Sequence, residues 1–181
     1  YRVMHNMLLE QDIQFALEHD ESIEYKQYEN EVLTDVAMEN IEFESVILAN
    51  CKFMNCNFER ASFYHTKLNH CEFANCNFSE GYFKDVQWID CKGDVADFSQ
   101  SSFMNITIEN CSYFCINFTE TLWDYASICN ANLSNAFMPE SKFKHFSVVN
   151  ANLEKVDFFK TCLKGIDVST CNIAGITVSE T

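Results

Sequence analysis

Every fifth residue from Leu33 to Val178 is bulky and apolar, and in thirty positions the only exception is Gly93. A period of five fits neither the 3.6 residues per turn of an α-helix nor the two-residue alternation of a plain strand. Two residues before each of these centres runs a second phase, from Glu31 to Ile176. Twenty-seven of its thirty members are Ala, Cys, Ser, Thr, Val or Ile, and the others are Glu31, Gly81 and Phe146. Charge obeys the same grid. Between 31 and 180 lie 20 acidic and 10 basic residues, and of these only Glu31 falls in either phase.

Such a pattern requires a chain that turns a corner every five residues, with two residues in five pointing inward. Four segments close a square coil of about 20 residues, and successive coils stack as parallel strands ~4.8 Å apart. Thirty segments, four to a coil, make a rod on the order of 35 Å long. The expected fold is therefore an all-β solenoid, a right-handed quadrilateral parallel β-helix spanning 31–180. Residues 1–30 fall outside the grid. The apolar residues Val3, Met4, Met7, Leu8, Ile13, Ala16 and Leu17 form a helical stripe, read as a short N-terminal cap over the first coil. Asp20, Glu21, Glu24, Glu29 and Glu31 mark an acidic linker from cap to coil. The chain opens on Tyr1 rather than Met, and its register runs to Val178 with only three residues beyond. The last coil is thus expected to pair with a second subunit or to be covered by a further capping segment.

Composition narrows the partners. The net charge of −15 opposes direct binding to nucleic acid or an anionic membrane and favours a basic protein surface. No apolar run is long enough to span a bilayer, and no secretory leader opens the chain, so a cytoplasmic setting is expected. Seven of the ten cysteines (51, 56, 71, 76, 91, 111 and 171) occupy the small inward phase. Neighbours five apart lie on different walls, which does not suit the four converging thiolates of a zinc site. They read as small buried hydrophobes in a reducing compartment, with vertical disulfides between coils as the alternative. The histidines at 5, 19, 65, 70 and 145 all lie outside the inward phases, with no evident nucleophile or carboxylate partner. With no phosphate loop or metalloprotease motif either, no catalytic residue, metal or cofactor is assigned.

Cys56-Asn57-Phe58-Glu59-Arg60, Cys76-Asn77-Phe78-Ser79-Glu80 and Ala131-Asn132-Leu133-Ser134-Asn135 share one formula: small, Asn, Phe or Leu, then two polar residues. On these segments the chain resembles the pentapeptide repeat family, and the resemblance covers 150 of its 181 residues. Leu163 to Ile173 is similar to the last coil of the quinolone-resistance (Qnr) type within that family. That likeness implies a DNA mimic acting on DNA gyrase or topoisomerase IV, with quinolone protection, and a homodimer formed through the C-terminal end. Qnr proteins of Gram-negative bacteria usually interrupt the repeat with loops, whereas here the register does not break. The surface feature that would serve mimicry is one wall bearing Glu39, Glu59, Glu80, Asp97, Glu120, Glu140, Asp157 and Glu180 against Arg60 and Lys160. The competing expectation is a structural protein-interaction module with an unrelated partner, its carboxylates serving solubility.

Overall fold

The computed structural model describes residues 8–179. Residues 20 apart stand directly above one another: Ile23, Phe43, Phe63, Phe83, Phe103, Trp123 and Phe143 form one parallel ladder. The fold is a parallel β-solenoid with a short N-terminal helix. Its every-fifth residues fill the axis. Phe58, Phe78 and Phe98 stack at centroid distances of 4.4 and 4.6 Å with rings 6° and 2° from parallel. All three are buried. Each such ring contributes roughly 1.5–3 kcal/mol by leaving water, and the offset stacks add to that.

The corners are made by a backbone feature that hydrophobic periodicity does not reveal. At every fifth position from Asp20 to Lys160 the residue adopts φ of 50–65°. A left-handed residue turns the chain sharply within one step, and Asn and Asp tolerate it best among residues with a Cβ. They hold many of these corners, but Arg60, Glu80 and even the β-branched Val95 are forced into the same conformation.

The four walls are not equivalent. Two are joined by ladders that run across a shared corner in strands such as Tyr82–Ile89, Ser102–Glu109, Leu122–Cys129 and Lys142–Val149. Over most of their height the other two meet through single bridges, as at Asn57↔Asn77 and Asn117↔Phe137. There the residue before each centre does the missing work. Asn57, Asn77 and Asn117 accept the backbone N–H two residues on, at 3.0, 2.8 and 3.0 Å. This local bond explains the Asn of the repeat formula.

The small inward phase is small for two reasons. It sits at the corner of a crowded interior, and its polar members bond across coils. The thiols of Cys71, Cys91 and Cys111 reach the carbonyls of Leu48, Leu68 and Trp88 at 3.3, 3.2 and 3.4 Å. Ser101, Ser141 and Thr161 donate in the same way to Phe78, Phe118 and Met138. All ten cysteines are free thiols. Neighbouring thiols, Cys111 first and then Cys71, together with burial, push Cys91 well above the ordinary thiol range.

Gly93 leaves no hole. The Phe73 ring leans into the space its side chain would fill, and a Cβ there would lie 2.1 Å from Phe73 Cε2. Tyr113 closes the same space from the next coil, its ring 5.7 Å from that of Phe73.

Both ends depart from expectation. The helix Leu8–His19 buries Leu9, Ile13 and Ala16 and leaves Leu8 and Leu17 exposed, so its apolar stripe is displaced from the one expected. Val3, Met4 and Met7 lie outside the described residues. The segment read as a linker is already wound as coil, with Ile23–Glu24 and Gln27–Glu29 pairing onto the next turn. Ile23 and Tyr28 are buried centres in register with the grid. Glu21 and Lys26 replace the small residues two places before them, which hides the repeat. Tyr28 donates to Asp12 Oδ2 at 2.6 Å and fastens the helix to this first coil. At the other end, pairing lapses over 162–169 and resumes at Asn172 and at Thr177–Val178. Leu163, Ile166 and Val168 are half-buried there, and Ile173 and Val178 are exposed.

Candidate functional site

The interior offers no cavity wide enough for a water molecule between Trp88, Phe98, Phe103, Ile108, Tyr113 and Phe118. The described charged residues of the wall singled out from sequence lie on the outside of the rod. Among the described residues, no group of three or more His, Cys, Asp or Glu side chains is placed to hold a metal ion. Nor is any helix among them long and apolar enough to cross a membrane.

The acidic residues singled out from sequence do fall on one wall, but in three columns rather than one line. Glu80, Glu120 and Glu140 occupy the left-handed corner column and are exposed. Glu39 and Glu59 follow their centres by one residue, and Asp97 and Asp157 precede theirs by one. The last two are committed to the turn. Asp97 accepts the N–H of Ser99, and Asp157 that of Phe159, both at 2.9 Å. They take the place of the Asn residues in their column and present only part of each carboxylate outward. Glu180 lies outside the described residues.

Cations neutralise the corner column near both ends. Arg60 Nη1 lies 2.9 Å from Glu59 and 3.6 Å from Glu80, and Lys160 Nζ lies 3.9 Å from Glu140. Gln100 donates to Glu120 at 3.3 Å, which leaves Glu120 without a countercharge in the column. What remains is a short exposed run, Glu80, Gln100, Glu120 and Glu140, rising one coil at a time. Glu120 and Glu140 stand one coil, ~4.8 Å, apart, and Glu80 stands two coils, ~9.6 Å, from Glu120, against one phosphate per ~3.4 Å on a DNA strand.

Sequence reasoning passed over a second charged line, on the corner between the two continuously paired walls. His65 stands between Glu44 and Asp85, at 2.9 Å from each. Asn105 donates to the same Asp85 at 2.6 Å. Further along the corner His145 meets Asp124 at 3.0 Å and stacks on Tyr125 at 4.2 Å. The 20-residue spacing of 65, 85, 105, 125 and 145 was the available signal.

Comparison with known proteins gives the same picture of the fold. The pentapeptide repeats family matches residues 41–80 and 56–92, in eight copies. No curated protein matches the chain in sequence. Among solved structures, the chain is similar to a trypsin-treated form of QnrB1, a plasmid-mediated fluoroquinolone resistance protein. The TM-score is 0.61 at 20% identity, covering 86% of this chain and 91% of that one. Full-length QnrB1 gives 0.46 at 20%, covering 87% and 94%. HetL, a pentapeptide repeat protein involved in heterocyst differentiation regulation from the cyanobacterium Nostoc sp. strain PCC 7120, gives 0.37 at 11%, covering 92% and 91%. At 20% identity and a TM-score of 0.61, the likeness to trypsin-treated QnrB1 is one of fold. Residues 41–92 match the pentapeptide repeats family, and the same strict period of five and four-walled coil continue on both sides of that stretch.

Proposed function

We propose that the protein is a non-enzymatic, cytoplasmic binding protein that presents its acidic wall to a basic DNA-binding groove of a type II topoisomerase, DNA gyrase or topoisomerase IV. The observation that carries this reading is the exposed column of Glu80, Glu120 and Glu140 on a rigid rod. A stiff row of carboxylates needs no ordering on binding, so its electrostatic attraction is not spent on entropy. In this reading the half-buried Leu163, Ile166 and Val168 of the last coil are where a second copy docks end to end. The test is charge reversal, E80K/E120K/E140K, assayed by gyrase binding and by supercoiling with and without ciprofloxacin. Binding should weaken more than ~10-fold and the wild-type interaction should fade steeply with salt. Binding that is unchanged by the triple substitution refutes the mimicry.

A second reading has an observation of its own. The turn duty of Asp97 and Asp157 and the cations at Arg60 and Lys160 leave the wall less negative than its sequence count. That favours an interaction module with an unrelated partner, for which wild-type protein would not bind gyrase at all.

A further inference from the structure

The wall through Phe43, Phe63, Phe83, Phe103, Trp123 and Phe143 carries two outward columns in unbroken parallel register. The residues before each centre are Glu42, Ser62, Tyr82, Ser102, Leu122 and Lys142; those after are Glu44, Tyr64, Lys84, Met104, Asp124 and Lys144. This wall sorts most of its charge by sign along the axis. Glu24, Glu42 and Glu44 lie towards the helix-capped end, and Lys142, Lys144 and Lys164 lie towards the other. Between them Met104 is 39% and Leu122 49% exposed. With Tyr82 and Ser102 they line a shallow depression of about 330 Å³.

We propose that this wall is a self-association surface that seats a second copy of the chain antiparallel, wall against wall. A two-fold axis lying in the contact and perpendicular to the rods keeps each column facing its own counterpart and reverses the order of coils. Centred between the coils of Tyr82 and Ser102, it sets Glu42 opposite Lys142 and Glu44 opposite Lys144, each pair made twice. Glu24 then faces Lys164. In the middle Tyr82 meets Ser102, Lys84 meets Met104 and Ser62 meets Leu122, and no like charges are opposed. The parallel alternative swaps the columns and brings Glu42 against Glu44 and Lys142 against Lys144, so charge selects the antiparallel pair. An acidic peptide would satisfy the lysines but leave the three glutamates of the same wall unmatched. A contact confined to one wall is small, so association is expected at concentrations on the order of micromolar.

The test joins a zero-length cross-link to a charge swap. Within one chain the coils of Glu44 and Lys144 are five spacings, roughly 24 Å, apart. A carbodiimide-formed amide between them, identified by mass spectrometry, therefore comes only from two copies. By sedimentation, E42K/E44K and K142E/K144E should each weaken the dimer on the order of 100-fold. The quadruple swap E42K/E44K/K142E/K144E should restore it, which also shows that the variants fold. A protein that stays monomeric at all concentrations overturns the proposal. So does a dimer that ignores the double variants and yields no 44–144 link, the result expected if copies meet only end to end.

Discussion

Gly93 is where the repeat rule and the packing disagree on the sign of an effect, so Gly93→Ala discriminates between them. Backbone reasoning favours the change: Gly93 is not among the glycines of positive φ. Replacing such a glycine with alanine ordinarily stabilises a protein by about 0.4–1 kcal/mol through the unfolded chain. The repeat also asks for a bulky residue there. Packing opposes it, because the new Cβ would stand 2.1 Å from Phe73 Cε2 and 2.8 Å from Cδ2 and Cζ. Phe73 cannot simply swing aside. Its ring is fully buried and walled by Phe78, Phe98 and Tyr113 at 5.5, 6.1 and 5.7 Å. Overpacking of this kind costs about 1–3 kcal/mol. For a chain of this length that lowers the melting midpoint by roughly 2–12 °C. Circular dichroism melts of wild type, Gly93→Ala, Phe73→Leu and the double variant would measure it. The double variant should recover on the order of 1 kcal/mol relative to the sum of the singles. A neutral or stabilising Gly93→Ala, or strict additivity, would refute the packing argument.

Two further outcomes follow from strained and buried groups. Val95 holds φ 62° at an exposed corner, so Val95→Asn should stabilise the protein by about 1 kcal/mol, read as a raised urea midpoint. Burial first, then the Asp12 carboxylate, raise the Tyr28 hydroxyl far above the usual tyrosine range. A folded-state pKa raised above the unfolded value means that the stabilisation is complete below about pH 10 and is lost as pH climbs beyond it. Tyr28→Phe should therefore be less stable near neutrality and flatten the alkaline fall, as tracked by urea titrations between about pH 9 and 11.

The four-walled coil was legible because apolar and small residues obey one period over most of the chain, and a parallel stack permits no other arrangement of them. The first coil was not, since Glu21 and Lys26 break the small phase before Ile23 and Tyr28. The left-handed corners are a backbone property shared by Asn50, Arg60 and Val95 alike, so residue type alone could not announce them. On the acidic wall, column membership followed from counting by twenty. What counting could not supply was orientation: that Asp97 turns inward to a backbone N–H, and that Arg60 reaches Glu80. Gly93 looked like a gap because sequence lists a side chain under its own number, whereas Phe73 spends its volume one coil higher.

The thiol and hydroxyl donors that reach back 23 residues also bear on how the rod is built. Each bond joins a newly arrived layer to carbonyls of the layer already laid down, and none of these donors waits for chain still to come. Starting from the helix-covered base, a nascent polypeptide can thus add one storey at a time as it leaves the ribosome, every storey being secured by the floor beneath it.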